Sequence, residues 1–299
     1  VKDAKMNLVY KTYEPEDNIF DNLVIDITHR CNMDCANCYI PNRDIPDLDL
    51  TGFYDLLKRL PFKTFIRLIG AEPTMRKDLC EIISSVKKHR HHPLLVTNGL
   101  KLSVPKYVKS LKDAGLRMVY LSMNGAADPE VYRVLDNGTE YAKMKVKALE
   151  NVMKENMIVN TGTIIARGVN EFTIQDQVEL VRKTMKDTSF RQRLKPVLRI
   201  KSVGKIGRYM EDSSYTLEEL EELLFNYVGV TEKKSNFLQG GQATIDNWYD
   251  YDDLYVRLTD WKVDENGVPD SGSELRGRIT QDWKTAPFFE HVKDNEFGY

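Results

Sequence analysis

Six short runs, apolar at nearly every position, recur through the first two hundred residues: LVIDI (23–27), FIRLI (65–69), LLVT (94–97), MVYLSM (118–123), VNTGTII (159–165) and VLRI (197–200). Between them lie FYDLLKRL, LCEIISSVKK, PKYVKSLKDAG, YAKMKVKALENVMKEN and IQDQVELVRKTMKD, whose apolar residues return at the three- and four-residue spacing of a helix face. Gly115 is placed to end one of these helices. Runs that are apolar throughout, instead of alternating, suit parallel strands covered by helices, joined by right-handed βαβ crossovers. That leaves a doubly wound sheet or a barrel, and six units fall short of a closed eight-fold barrel.

After about residue 210 the pattern changes. TLEELEELLFNYVG predicts an amphipathic helix with Thr216 as its N-cap. The following QGGQATIDNWYDYDDLYVRLTDWKVDENGVPDSGSELRGRITQDW reads as short strands around turns such as Glu265-Asn266-Gly267. The expected organisation is a lead-in over 1–20, an α/β domain over 21–210, and a C-terminal α+β extension over 211–299 packed on it.

The charge balance removes some partners. Lys and Arg total 43 against 45 Asp and Glu, a net charge of −2, which makes no field to collect nucleic acid or an anionic membrane. No apolar h-region opens the sequence and no eighteen apolar residues run together, so neither a secretion signal nor a membrane span is expected. Four cysteines are too few for a disulfide framework, and a reducing cytoplasm is the simplest setting.

Three of those cysteines, Cys31, Cys35 and Cys38, stand within eight residues just beyond the first apolar run. In parallel α/β proteins ligands bind past the carboxyl ends of the strands, so this loop opens the functional face. Four readings of the thiols compete. Buried structural cysteines do not ordinarily cluster in a polar stretch containing Asn32, Asp34 and Asn37. A structural zinc wants four closed ligands, and the remaining Cys80 lies in the helical KDLCEII. A redox pair of Cys35 with Cys38 leaves Cys31 unexplained. An iron–sulfur cluster takes thiolates as its usual ligands, and three thiolates for four irons leave one iron open to a small molecule.

Here the chain resembles the radical S-adenosylmethionine (SAM) enzymes. Their signature Cys-x-x-x-Cys-x-x-Cys appears as Cys31-Asn32-Met33-Asp34-Cys35-Ala36-Asn37-Cys38, and IGAEPTMR, at the end of the second run, is similar to the family's Gly-Gly-Glu-Pro segment. The resemblance spans roughly residues 20 to 210 and implies a partial (βα)6 TIM-like barrel.

It further implies that Cys31, Cys35 and Cys38 hold a [4Fe–4S] cluster whose fourth iron is chelated by SAM. An electron from the reduced cluster then splits the sulfonium and yields a 5′-deoxyadenosyl radical that takes a hydrogen atom from substrate. Gly70, Ala71 and Glu72 match the segment that receives the methionyl amine, with Ala71 in place of the second glycine. VYLSMNGA resembles the Ser-x-Asp-Gly stretch and puts Ser122 and Asn124 at the carboxylate or ribose of SAM. Thr97 and Asn98 end the third run, Ile165 falls beside the adenine, and Arg167 comes within reach of a carboxylate. Asn37, with Tyr39 following, occupies the place of an aromatic near the adenine. Cys80 is expected to be an inert, partly buried helical thiol. An external electron donor such as flavodoxin or ferredoxin is implied as well.

Substrate is less legible. KPVLRIKSVGKIGRY brings Arg199, Lys201, Lys205 and Arg208 toward the barrel mouth, where they can hold a phosphate or carboxylate or simply form a solvated loop. DNWYDYDDLY offers the opposite sign through Asp246, Asp250, Asp252 and Asp253. The leading expectation is hydrogen abstraction from a small molecule such as a sugar, nucleoside or natural-product intermediate; about twenty residues ahead of the first run are too few for a peptide-recognition lobe. The alternatives are modification of a ribosomally made peptide and a non-catalytic zinc- or cluster-binding module.

Overall fold

The computed structural model describes residues 11–38, 40, 43–203, 213–230, 237–239, 242–244, 248–259 and 276–287. Tyr39, Lys205, Arg208, Asp246 and the Glu265-Asn266-Gly267 turn lie outside the described residues.

Each of the six apolar runs is a strand: β1 (Asn22–Asp26), β2 (Phe65–Ile69), β3 (His92–Thr97), β4 (Met118–Ser122), β5 (Ile158–Ile165) and β6 (Val197–Ser202). They pair in parallel in chain order, each crossover passing through a helix. The helices are those the spacing predicts, at Thr51–Arg59, Leu79–Lys88, Pro105–Asp113, Tyr141–Lys154 and Thr173–Asp187. Gly115 follows the third of them at φ +114°, a conformation that costs glycine little. One helix, Pro129–Leu135, has too few turns to show a period in sequence; Asp128 caps it by accepting from the amides of Glu130 and Val131.

Side chains of one strand face come together with the helices in a single core. Leu23 and Ile25, Ile66 and Leu68, Val119 and Leu121, and Leu198 and Ile200 belong to it, as do Phe53, Ile82, Leu111, Leu149 and Val178 from the helices. The opposite face is where the apolar reading of the runs fails. Arg67 of β2, Tyr120 of β4, Asn160 of β5 and Arg199 of β6 fall at the alternate positions and point away from the helices. Arg67 and Arg199 both stack on the Tyr120 ring, each with its guanidinium 4.9 Å from the ring centre. Their strands lie four steps apart, about 19 Å measured along a flat sheet. Tyr120 lies midway between them, two strands from each, so both guanidiniums gather on the inner face of β4; the strands form a partial TIM-like barrel whose sheet is open and whose interior is polar.

The C-terminal part supplies a helix and six short strands. Helix Leu217–Val228 carries a capping box between Thr216 and Glu219 and ends at Gly229 in the left-handed region, φ +71°. Strands β7 (Phe237–Gln239) and β8 (Gln242–Thr244) make a separate antiparallel pair. The other four join the main sheet. β10 (Leu254–Thr259) runs parallel to β6 and carries β9 (Trp248–Tyr251) antiparallel beside it; β11 (Arg276–Ile279) runs parallel to β1 and carries β12 (Thr285–Pro287). The order β12-β11-β1-β2-β3-β4-β5-β6-β10-β9 makes ten strands in one open sheet.

Asp26, the last residue of β1, also has the polar-face parity. Its Oδ1 is buried without a hydrogen-bond partner among the described residues, and burial pushes its carboxyl up to about 7 from an ordinary 3.8. The folded chain therefore holds this proton more tightly than the unfolded chain, so the group favours folding below about pH 4 and that advantage is lost as pH rises toward 7. Asp26→Asn removes the titration. Its melting temperature relative to the wild type is expected to rise steadily between pH 4 and pH 7 and to level off above, measured by thermal denaturation across that range.

Candidate functional site

The cysteine loop begins where the β1–β2 ladder ought to stop. The pairing instead continues past both strand ends: Ile27 N donates to Ile69 O at 3.0 Å, Ala71 N to Thr28 O at 2.9 Å, and Glu72 N to Arg30 O at 2.9 Å. Two loops are thus zipped together side by side, one leading to Cys31 and the other being Gly70-Ala71-Glu72. The zipper needs a glycine at 70. Its φ is +136°, and a Cβ there would lie 2.3 Å from the Thr28 carbonyl oxygen. Ala71 is not among the left-handed residues, so its methyl is accommodated where the family pattern has a second glycine.

Glu72 is fully buried and binds inward. One carboxylate oxygen accepts from Thr74 N (3.0 Å), Thr74 Oγ1 (2.6 Å) and Thr97 Oγ1 (2.7 Å), the other from Asn98 N (2.7 Å). Glu72 therefore ties the ends of β2 and β3 together. Asn98, positioned by that bond, reaches across to the cysteine loop and donates to Asn32 Oδ1 at 2.8 Å, with its amide nitrogen 3.8 Å from Cys31 Sγ.

Further contacts fix the rest of the loop. Arg76, from the same IGAEPTMR segment, donates to the carbonyls of Ile27 (2.8 Å) and Leu48 (2.9 Å) and pairs with Asp78. Asp47 accepts from Thr28 Oγ1 and from Arg30. Ala36 N donates to Leu135 O at 2.9 Å, joining the segment between Cys35 and Cys38 to the Pro129–Leu135 helix. Arg43 donates to Cys38 Sγ at 3.0 Å.

All three thiols are partly buried. Burial, with the charges of Asp136, Cys38 and Cys31, pushes the Cys35 thiol up to about 12; burial, Glu72 and Cys38 raise Cys31 as well. The three are close enough to oppose one another's ionisation. Among the described residues no three His, Cys, Asp or Glu side chains are arranged to hold a single metal ion. Three neighbouring thiols are the donor set an iron–sulfur cluster takes, and the positive charge of such a body would hold them as thiolates. Asn37 adds an orphan: its Nδ2 is buried with no hydrogen-bond partner among the described residues, a donor that a ligand can use. The donor set and the spare donor fit an iron–sulfur cluster with a small molecule beside it. Cys80 takes no part; it sits on the Leu79–Lys88 helix with Sγ 3.8 Å from Ser110 Oγ.

Beneath Cys35 lies a buried ion pair that sequence reasoning missed. Lys145 Nζ meets Asp136 Oδ2 at 2.7 Å, both side chains being almost wholly removed from solvent. Asn124 joins it, donating to Asp136 Oδ1 at 2.8 Å and accepting from Ile164 N at 3.0 Å. Its carbonyl accepts from the buried Asn170, which also binds Ile164 O and Ala166 N. The Asn124 side chain is thus committed to knitting β4, β5 and the helix Tyr141–Lys154. Ser122 is half-buried at the end of β4, on the inward face.

Two placements differ from the expectation. Ile165 is fully buried in the main core, because it shares parity with Val159 on the helix side of β5; the inward neighbour is Ile164. Arg167 does meet a carboxylate, but that of Glu219 at 2.7 Å, while stacking on Tyr215 with 4.0 Å to the ring centre. Its charge fastens the C-terminal helix to the end of β5.

The mouth can now be compared with known proteins. Residues 25–183 match the family described as the Radical SAM superfamily, more than half of the 299-residue chain. The chain belongs to the radical SAM superfamily. As a member it is an enzyme whose cofactors are a [4Fe–4S] cluster and SAM. Among curated relatives, a 7,8-dihydro-6-hydroxymethylpterin dimethyltransferase of Methanocaldococcus jannaschii is 33% identical over 157 residues, 49% of this chain and 30% of that protein. A probable GTP 3′,8-cyclase of Pyrococcus abyssi is 28% identical over 206 residues, 67% of this chain and 64% of that protein. The chain therefore spans less than two thirds of either. The structure of Streptococcus suis SuiB bound to SAM superposes with a TM-score of 0.61 at 11% identity, over 92% of this chain and 61% of that one, which is a likeness of fold. No helix among the described residues is long and apolar enough to cross a membrane.

Two sets of substitutions separate these roles. Gly70→Ala is expected to lower stability by about 1–3 kcal/mol through backbone strain, whereas Ala71→Gly stays within about 1 kcal/mol. Lys145→Met leaves Asp136 buried without its cation and is expected to cost about 3–5 kcal/mol. Urea denaturation of the three variants checks these values.

Proposed function

We propose that this radical SAM enzyme abstracts a hydrogen atom from a small-molecule substrate of the sugar, nucleoside or natural-product-intermediate class. The observation that carries the reading is the zipper, which brings the cysteine loop, the Gly70–Glu72 turn and Asn98 to one mouth above a polar barrel interior. The names of the curated relatives, which concern GTP and a pterin, support a small substrate over a peptide.

Cys31, Cys35 and Cys38 would hold three irons of the cluster. Bound together there, the cluster and SAM supply a reductively generated 5′-deoxyadenosyl radical. What the chain contributes is placement. Gly70 and Ala71 form the close-approach turn that would receive the amino group of SAM; Glu72 braces that turn against β3 through Thr74, Thr97 and Asn98. Asn98 would set the position of Cys31. Asn37 has a buried donor to offer the adenine end, and Tyr39, just past Cys38, would help there. Ser122 would face the ribose or carboxylate, and Asn124 would act behind it by holding the ends of β4 and β5. Ile165 and Arg167 would support the same strand end, one through the core and one through Glu219. Glu72 is fully buried and the thiols partly so, which would limit the water beside a reactive species. An external donor such as flavodoxin or ferredoxin would deliver the electron.

Anaerobic reconstitution with iron and sulfide tests the reading. About four irons and four sulfides per chain are expected, with dithionite-dependent release of 5′-deoxyadenosine measured by mass spectrometry. Cys31→Ala, Cys35→Ala and Cys38→Ala should each abolish that release, and Cys80→Ala should spare it. One tightly held zinc without cleavage, or loss of the cluster on Cys80→Ala, would sink the proposal.

A further inference from the structure

The Asp136–Lys145 pair does little for the fold that apolar side chains would not do. Taking a carboxylate and an ammonium out of water costs about as much as their attraction recovers, and well-packed apolar residues often hold such a place as firmly. Yet both side chains are at most 1% exposed and wholly committed to this contact. Asp136 accepts from Lys145 Nζ at 2.7 Å and from Asn124 Nδ2 at 2.8 Å, and the ammonium lies 5.1 Å from the centre of the buried Tyr132 ring. No water screens charges held in this way, so their field acts on its surroundings more strongly than that of a surface pair.

Those surroundings are the middle cysteine. Leu135 O accepts from Ala36 N at 2.9 Å, which docks the residue after Cys35 against the residue before Asp136. The same bond brings the carbonyl end of the Pro129–Leu135 helix to the loop, and it commits an N–H that a cluster sulfur would otherwise be free to accept from. Asp136 and Lys145 both act on the Cys35 thiol, and the carboxylate acts the more strongly. The pair thus turns its negative end toward Cys35. The other two thiols stand in different fields: Glu72 and Arg43 act on Cys31, and Arg43 donates to Cys38.

We propose that Asp136, held in place by Lys145 and Asn124, keeps the cluster at a low reduction potential by fixing a negative charge beside the iron that Cys35 would bind. Reduction brings one electron from the external donor, and a buried carboxylate nearby opposes its arrival. Breaking a sulfonium reductively needs a strong reductant, so a site that makes the cluster harder to reduce also makes its electron more effective. Asp136 is on this account a positioning residue that acts through Cys35. The inference rests on the reading of Cys31, Cys35 and Cys38 as cluster ligands, and it adds a residue from outside that set.

A redox titration of the anaerobically reconstituted protein, followed by electron paramagnetic resonance, tests it. Asp136→Asn removes the charge and keeps the shape; its one-electron reduction equilibrium should shift at least about tenfold toward the reduced cluster, a rise of about 59 mV. Asp136→Asn combined with Lys145→Met removes both charges and leaves no ion unpaired. This double variant should shift the same way by a smaller step, and it decides the matter if the single variant does not fold. Asn124→Ser cuts the same network without changing any charge; its potential should stay at the wild-type value, which separates a lost field from a loosened loop. Unchanged potential in both charge variants, an equal rise in Asn124→Ser, or failure of both charge variants to take up iron and sulfide would each overturn the proposal. A wild type that takes up no cluster would sink the reading of the mouth together with this inference, whereas a cluster indifferent to Asp136 would sink this inference alone.

Discussion

Three backbone hydrogen bonds beyond the ends of β1 and β2 decide the geometry of the whole mouth. Strands normally release their chains into loops that wander apart, and a loop of eight residues holding three cysteines has no structure of its own to resist this. Here the parallel ladder runs on through Ile27, Thr28 and Arg30 on one side and Ile69, Ala71 and Glu72 on the other. Gly70 makes that possible, since no side chain can pass the Thr28 carbonyl at this distance. Once the two loops are parallel, Glu72 can collect Thr74, Thr97 and Asn98, and Asn98 can touch the cysteine loop in turn. The rigidity of the sheet thereby reaches the first of the three thiols through hydrogen bonds alone.

Much of this was legible in the residues. The strands announce themselves because one face of each packs on helices, and the Cys-x-x-x-Cys-x-x-Cys spacing needs no tertiary information to be seen. Which face an individual residue takes is harder to read. Ile164 and Ile165 differ only in parity, and an apolar run conceals its own register. Asn124 and Arg167 have the right chemistry for a ligand, yet their partners, Asp136 and Glu219, come from distant elements whose approach no local pattern records. The Asp136–Lys145 pair was invisible for the same reason: nine residues apart, across a turn between two helices, they look like ordinary surface charges.

The arginines within the apolar runs tell a related story. FIRLI and VLRI each contain one, at the centre or one place after it, and a single cation inside a strand reads most simply as an edge or a tolerated exception. Period-two alternation places Arg67 and Arg199 on the same face as Tyr120, and the curl of the sheet brings them onto its ring. The helix-facing side therefore performs the folding work common to this architecture, burying leucine, isoleucine and valine. The inward side is free of that duty.

The topology also sets an order of assembly. β1 carries the cysteine loop at its end, yet the partner for its outer edge, β11, is synthesised only after every other parallel strand of the sheet. Until Arg276–Ile279 emerge from the ribosome, a nascent chain holds β1 from one side alone. Such long-range pairing slows folding; β11 meets β1 at Asn22–Val24, the end away from the cysteine loop, and so closes the far edge of the parallel sheet last.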